Sequence, residues 1–202
     1  MENKIIINSD FTMYKQAFLE ENAKHNLISK NDEKFLWEKH IYDSLALKLF
    51  FKKYNITQAS VLDIGCGGGF PCLPLAIEIP DLNFTGIDSI NKKINSVQNI
   101  VEKLGVKNLN LIAGRVENLK EKNYDIVTSR AVANMAKISE YALPKVKKGG
   151  YFVAYKSKKA LIEIKEAESV LKKLGGEVID IIEYILPLEE IYERNLICIK
   201  KK

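Results

Sequence analysis

The sequence DIGCGGGFP, residues 63–71, is the strongest indicator of the architecture. Its first two residues end an apolar run, Ser60–Ile64, which is typical of a buried strand. A short helical pattern at Pro74–Ile79 comes after it. Glycine permits positive φ angles and lets the backbone approach a ligand closely. A glycine-rich turn between a strand and a helix is the context of a nucleotide-binding loop, although glycines can also cluster in a turn by chance.

The spacing of the glycines distinguishes between cofactors. The dinucleotide pattern G-x-G-x-x-G would need a glycine at position 70, where the chain has Phe70. The pattern D-x-G-x-G-x-G is complete, with Asp63, Gly65, Gly67 and Gly69. This second pattern resembles the loop that binds S-adenosylmethionine, so its residues are candidate cofactor contacts.

Asp88 supports a nucleoside ligand. It ends the second predicted strand, where an acidic side chain can accept hydrogen bonds from both hydroxyls of a ribose. A turn residue at the end of a strand is the alternative. Together, the loop and this carboxylate favour a cofactor that contains adenosine.

Short β-branched runs alternate with helical periodicity along the rest of the chain. The last two strands are joined by about eight residues, which is too short for a crossover helix, so they should pair as an antiparallel hairpin. The pattern predicts an α/β fold: a mostly parallel, Rossmann-like sheet of the class I methyltransferase type with an antiparallel C-terminal strand. The predicted strands are Ser60–Ile64, Asn83–Asp88, Leu109–Ala113, Tyr124–Ser129, Gly150–Tyr155, Val178–Leu186 and Asn195–Lys200, and the helices after the first are Asn91–Leu104, Ala133–Leu143 and one through Leu161–Leu174.

The first 57 residues show no strong strand. Helices are predicted at Phe11–Lys24 and Asp32–Lys53, which makes residues 1–57 a helical cap. Residues 58–202 then form the S-adenosylmethionine-binding domain, and we expect the two parts to be one compact unit.

Composition excludes several classes of protein. A chain of 202 residues with 47% hydrophobic and 28% charged residues can bury a core and is not disordered as a whole. Three cysteines without paired spacing and two histidines argue against a disulfide framework and a metal centre. No secretory signal and no apolar run of membrane-spanning length is present, so we expect a cytoplasmic protein without membrane association.

The net charge of +5 permits nucleic-acid binding without requiring it. Only three of the 31 basic residues are arginines: Arg115, Arg130 and Arg194. Each is a candidate for planar, bidentate recognition, which lysine does not provide. Lysines that could neutralise a nucleic-acid backbone, or simply be solvated, are Lys145, Lys147, Lys148, Lys156, Lys158, Lys159 and Lys200–Lys202.

The end of the fourth strand favours a target that is already nucleophilic. The segment YDIVTSRA, residues 124–131, has neither the [DN]-P-P-[FYW] motif of exocyclic-amine methylation nor a cysteine nucleophile for methylating C5 of a pyrimidine. Guanine N7 offers a free lone pair and carries no proton, so proximity and orientation would supply most of the catalysis. O-methylation with an external base remains open at this stage.

Several motifs together resemble the RsmG (GidB) family, the guanine-N7 methyltransferases of bacterial 16S ribosomal RNA. They occur in order over about residues 24–156. Relative to the family pattern, Cys72 replaces the glycine of F-P-G and Ser157 replaces the glycine after Lys156. The matching stretches are Asn26–Ser29, His40–Leu45, Asp63–Pro71 with Pro74–Ala76, Gly114–Glu117 and Ser129–Val132.

The resemblance implies roles for individual residues. Cofactor contacts fall on Gly65, Phe70, Val116, Glu117 and Arg130, with Asp88 at the ribose. Residues on the target side are His40, Asp43, Ser44, Arg115 and Arg130, and the implied partner is 16S rRNA in the small ribosomal subunit. The oligomeric state stays open, as do two alternatives: a methyltransferase acting on small molecules or proteins, and a ribosome-assembly factor that binds the cofactor without turnover.

Elementary geometry fits some of these roles. On an α-helix, His40, Asp43 and Ser44 share one face, beside an apolar stripe of Trp37, Ile41 and Leu45. This polar cluster lines a cleft or, alternatively, only fixes the cap through hydrogen bonds. Arg115 and Arg130 follow strand ends, so both should lie at the carboxyl edge of the sheet, where ligands bind in open α/β folds. Structural ion pairs are the alternative role for these arginines.

Overall fold

The computed structural model describes residues 3–120 and 123–202, which form a seven-stranded sheet in the order β3-β2-β1-β4-β5-β7-β6. Strands β1 to β5 are parallel to one another, and β7 pairs antiparallel with both β5 and β6. This confirms the predicted mostly parallel sheet with an antiparallel end. The strands are β1 (Ser60–Ile64), β2 (Asn83–Asp88), β3 (Leu109–Ala113), β4 (Tyr124–Arg130), β5 (Val146–Ser157), β6 (Gly176–Leu186) and β7 (Tyr192–Lys201).

Helices cover both faces of the sheet. Successive side chains of a strand point to opposite faces, and Val61 and Leu62 of β1 accordingly belong to different apolar clusters. The first cluster contains side chains of α1, α4, α5 and α6, and the second those of α7 and α8. The helices are α1 (Thr12–His25), α2 (Lys30–Glu33), α3 (Asp43–Leu45), α4 (Leu47–Lys53), α5 (Cys72–Glu78), α6 (Asn91–Leu104), α7 (Met135–Ala142) and α8 (Ala160–Lys173). None of the helices in the described part of the chain is long and apolar enough to cross a membrane.

The prediction of one helix over Asp32–Lys53 is wrong. A π-helical segment occupies Leu36–Tyr42, between α2 and α3. The wider π turn shifts the side chains away from the positions that an α-helix would give them. Ile41 and Leu45 of the predicted apolar stripe are fully buried, whereas Trp37 is only partly buried.

The C-terminal strands are longer than predicted. Five residues, 187–191, connect β6 to β7, where the sequence indicated about eight. The additional residues of β6 and β7 pair with each other up to Leu186 and Tyr192. Ladder hydrogen bonds satisfy backbone groups that a longer loop would leave to water, which favours the short connection.

The N-terminal segment packs onto the sheet domain through apolar and ionic contacts. Ile5 and Phe18 belong to the same buried cluster as Val61 of β1. The carboxylate of Glu78 in α5 accepts hydrogen bonds from the backbone N–H groups of Asn8 and Ser9, both at 2.9 Å, and it also pairs with Lys48. The division at residues 57 and 58 stays a prediction, with Glu78 as a contact across it.

Replacing Glu78 with glutamine should test this attachment. The variant keeps one acceptor oxygen but removes the charge opposite Lys48 and one backbone acceptor, so we expect a loss of about 2 kcal/mol in unfolding free energy. Thermal or urea unfolding measures the change, and a single transition is expected. Glu20→Gln, which breaks the exposed pair with Lys103, is the matched control and should leave the midpoint unchanged. Equal effects of the two variants would contradict the role of Glu78.

Candidate active site at the carboxyl edge of the sheet

The glycine loop follows β1 and has positive φ angles at Gly65, Gly67 and Gly69. A side chain at Gly69 would approach Val97 to 2.9 Å, so this glycine allows close packing of α6. At Gly67 an added Cβ would meet no described atom within 4 Å. The backbone at Gly67 therefore faces open space, which a ligand can occupy in close contact with the loop.

Two carboxylates support this loop. Asp88, at the end of β2, accepts a hydrogen bond from the N–H of Gly67 at 2.9 Å and one from Ile90. Asp63, at the end of β1, is buried and accepts from the N–H of Cys72 at the start of α5. Burial raises the pKa of Asp63 to about 8, despite the hydrogen bonds from Cys72 that favour the ionised form. Its Oδ1 atom is buried without a hydrogen-bond partner among the described residues.

A cleft of about 300 Å³ lies above the loop. The loop and Phe70 form one side, and His40, Arg130 and Arg194 line it as well. Lys39 and Lys93 give the cleft a basic rim. A neighbouring cavity of about 320 Å³ shares Arg130 and Arg194 with it and extends towards Lys156 and Glu163.

Arg130 is held in a fixed orientation. Its Nη1 donates to the carboxylate of Asp43 at 2.9 Å and to the carbonyl of Lys39 at 3.0 Å, and its Nη2 lies 3.4 Å from Nδ1 of His40. The guanidinium carbon also lies 5.2 Å from the centre of the Phe70 ring. A guanidinium that is bound along one edge and stacked on a ring presents its remaining N–H groups in defined directions.

Asp43 is the common partner of this cluster. Its side chain is fully buried and accepts from Tyr184 at 2.6 Å and from Arg194 at 3.3 Å, in addition to Arg130. A buried carboxylate needs such partners, because an unpaired charge away from water is very costly. The structure therefore places Asp43 behind the arginines, where it orients them.

Ser44 is also buried, and its hydroxyl donates to the carbonyl of His40 at 2.5 Å. Its own carbonyl accepts from the hydroxyl of Tyr155 on β5 at 2.6 Å. The predicted single helical face of His40, Asp43 and Ser44 is wrong: His40 lines the cleft, while the other two side chains are buried beneath it.

His40 is placed to donate a hydrogen bond. Arginine has no acceptor, so Nδ1 next to Arg130 must be the acceptor, and the proton of the neutral ring then resides on Nε2. That Nε2 atom is buried and has no hydrogen-bond partner in the part of the chain that the structure describes. A ligand in the cleft can provide the missing acceptor.

Arg115 and Arg130 are not brought together. Arg115 is exposed after β3, and three strand spacings, about 14 Å, separate β3 from β4. The described lining of the cleft does not include Arg115, Val116 or Glu117. Val116 is buried and Glu117 is exposed, in a 3₁₀ turn that follows β3 on the side of the sheet that carries Asp88.

The C-terminal hairpin contributes two partners of Asp43 that no sequence motif indicates. Tyr184 of β6 and Arg194 of β7 both contact Asp43. Arg194 is one of only three arginines in the sequence, but no neighbouring motif indicates its role. The predicted antiparallel pairing is the sequence feature that indicates its position, because the start of an antiparallel strand lies beside the carboxyl ends of its parallel neighbours.

The lysines named above divide between the two edges of the sheet. Lys147 pairs with Asp125 at the start of β4, and Lys200 lies near the end of the antiparallel strand β7, so both lie away from the cleft. Lys156, at the end of β5, donates to the carbonyl of Ala133 at 2.8 Å and to Glu163 at 2.6 Å. It thereby fixes the loop that follows Arg130.

The strand order, the antiparallel end and the loop after β1 define the class I methyltransferase fold. Solved structures share it: the YcgJ protein of Bacillus subtilis superposes with a TM-score of 0.61 at 16% identity, over 80% of this chain and 99% of the other. TYW2 of M. jannaschii, in complex with AdoMet, gives a TM-score of 0.60 at 15% identity, over 93% and 77%. At these identities the likeness concerns the fold.

The chain belongs to the rRNA small subunit methyltransferase G (GidB) family, whose model matches residues 7–192. The ribosomal RNA small subunit methyltransferase G of Lachnoclostridium phytofermentans is 43% identical over 197 residues, which are 95% of this chain and 80% of the relative. That of Staphylococcus aureus is 40% identical over 95% of this chain and 81% of the relative. The resemblance drawn from the sequence motifs is confirmed.

The ring of His40 should remain neutral at physiological pH. Burial, followed by the charge of Arg130, lowers the pKa of His40 from 6.5 to about 4. The unfolded chain then binds a proton that the folded chain does not, so stability should fall as the pH decreases from about 6.5 to about 4. An NMR titration of the ring, assigned with His40→Gln, should give a midpoint near 4, and the variant should lack this part of the loss. A midpoint above about 6 would contradict the assignment.

Proposed function

We propose that the protein transfers a methyl group from S-adenosylmethionine to N7 of a guanine in 16S rRNA of the small ribosomal subunit. The main observation in support is the fixed orientation of the Arg130 guanidinium. It lies beside the neutral ring of His40, in the cleft next to a glycine loop of the methyltransferase type. Family membership supports ribosomal RNA as the substrate.

The residues present fit the cofactor. The open backbone at Gly67 can contact the methionine portion, and the carboxylate of Asp88 retains lone pairs for ribose hydroxyls beside its bonds to Gly67 and Ile90. Asp63 would support the loop from below through its bond to Cys72.

Val116 and Glu117 lie on the Asp88 side, where an adenine would extend. When bound, S-adenosylmethionine supplies an electrophilic methyl group on a positively charged sulfur.

The groups on the other side of the cleft suit the edge of guanine that carries N7. This edge presents two acceptors, N7 and O6. The groups left without a partner, the remaining N–H groups of Arg130 and Nε2 of His40, are donors, and one of them can bind O6 while N7 remains free. Because N7 carries no proton, these residues need to orient the base and exclude water, and no general base is required. We assign Asp43 and Ser44 the role of positioning Arg130 and His40.

The basic rim favours RNA over a small molecule. A small-molecule enzyme should enclose its substrate in an apolar pocket, whereas this cleft is open and has Lys39 and Lys93 at its rim against a single acidic residue, Asp32. With a net charge of +5, we expect the assembled subunit to supply shape contacts beyond phosphate neutralisation. Arg115, exposed beyond β3, is available to a phosphate outside the cleft.

The function is tested by incubating the protein and labelled S-adenosylmethionine with small subunits from a strain that lacks this modification. Label should appear in 16S rRNA, at a single guanine that becomes sensitive to chemical cleavage at 7-methylguanosine. Label on protein, on metabolites or on another base position would contradict the proposal. Cofactor binding without any transfer would favour the assembly-factor alternative.

Arg130→Lys should retain the charge but lose the planar contacts. A lysine ammonium cannot contact Asp43, the carbonyl of Lys39 and His40 together, so we expect kcat/KM for subunit methylation to fall by at least about 100-fold. Circular dichroism and thermal unfolding check that the variant is folded. Lys137→Gln, which breaks an exposed pair on α7, is the control and should behave as wild type. Activity of Arg130→Lys within about 3-fold of wild type would exclude the proposed orienting role.

A further inference from the structure

An exposed aromatic ring lines the cleft opposite the glycine loop. Tyr192 is the first residue of β7, directly after the connection from β6, and 46% of its surface is exposed. It shares the cleft with His40, Arg130 and Arg194. The ring therefore presents an accessible flat surface beside hydrogen-bond donors.

The ring is tied to the cluster around Asp43. The guanidinium carbon of Arg194 lies 5.6 Å from the centre of the Tyr192 ring, within the range of a cation–π contact. Arg194 in turn donates to Asp43 at 3.3 Å, and its Nε is buried with no hydrogen-bond partner among residues 3–120 and 123–202. On the backbone, Tyr192 pairs with the buried Leu186 of β6. The ring is thus linked through Arg194 to Asp43, the carboxylate that also pairs with Arg130.

Tyr192 and Asp88 lie on opposite sides of β1 in the strand order. Asp88, the candidate ribose contact, ends β2, whereas β7 lies beyond β4 and β5 on the other side of β1. A nucleoside bound at Asp88 therefore occupies the opposite half of the site. A second planar group that enters next to Arg130 and His40 would meet the Tyr192 ring.

We propose that Tyr192 is a base-stacking residue of the substrate site and contacts one face of the target guanine while Arg130 and His40 contact its edge. The inference rests on the proposed function and adds the residue that binds the plane of the base. Aromatic side chains commonly bind unpaired nucleotides by stacking, because every base has a π face. A nearby guanidinium strengthens such a site for an electron-rich purine.

The test compares Tyr192→Ala with Tyr192→Phe and Tyr192→Trp. The alanine variant should lower kcat/KM for small-subunit methylation by between about 5-fold and about 150-fold, the range that stacking energies predict. The two aromatic variants should stay within about 3-fold of wild type. The dissociation constant of S-adenosylmethionine and the unfolding midpoint should be unchanged in all three.

Ile191→Ala is the matched control and should have no effect. Ile191 is adjacent to Tyr192 and 79% exposed, but it lies outside the described cleft lining.

Two results would overturn the inference alone. The first is that the wild-type protein methylates the small subunit and the Tyr192→Ala variant does so with the same kcat/KM. The other is a Tyr192→Ala defect that appears entirely in cofactor affinity, which would place the ring against the cofactor. If the wild-type protein transfers no methyl group to guanine in rRNA, the proposed function fails and this inference fails with it.

Discussion

Asp43 carries a negative charge where no solvent reaches it, and Arg130, Arg194 and Tyr184 supply the hydrogen bonds that this charge requires. These partners come from β4, β6 and β7, while Asp43 itself belongs to the N-terminal helical segment. One carboxylate therefore connects the cap, the parallel part of the sheet and the antiparallel hairpin. Because removing any partner would leave a buried group unsatisfied, the cluster favours a single arrangement of the cleft before a ligand binds.

The proposed chemistry makes use of this arrangement. Methylation of guanine N7 needs little acid–base assistance, so the contribution of the protein is to place the base against the methyl donor and to hold it there. Arg130 and His40 can do so without a conformational change, since their orientations are already set by Asp43, the Lys39 carbonyl and Phe70. In the proposed reaction the glycine loop would hold the cofactor on one side of the cleft, and Arg194 and Tyr192 of the hairpin line the other side.

Much of the fold could be predicted from the sequence, because periodicity and turn residues report local structure directly. Helix α6 was predicted at its observed bounds, since Ile94, Val97 and Val101 mark one buried face and Gly105 ends the helix. The sequence does not indicate the π-helical segment, because its residues have ordinary helical character and π turns are rare insertions within α-helices. Likewise, Tyr184 and Arg194 reach Asp43 across more than 140 positions of sequence, a contact that only the tertiary arrangement of the hairpin reveals.

The coupling between Asp43 and Arg130 is the interaction on which the proposed geometry of the cleft most directly depends. A double-mutant cycle with Asp43→Asn, Arg130→Lys and the combined variant, each confirmed to be folded, measures it through kcat/KM for small-subunit methylation. If Asp43 acts by orienting Arg130, the combined variant should be no more than about 3-fold slower than the slower single variant. A combined loss equal to the product of the two single losses would show that the residues act independently and would contradict the account.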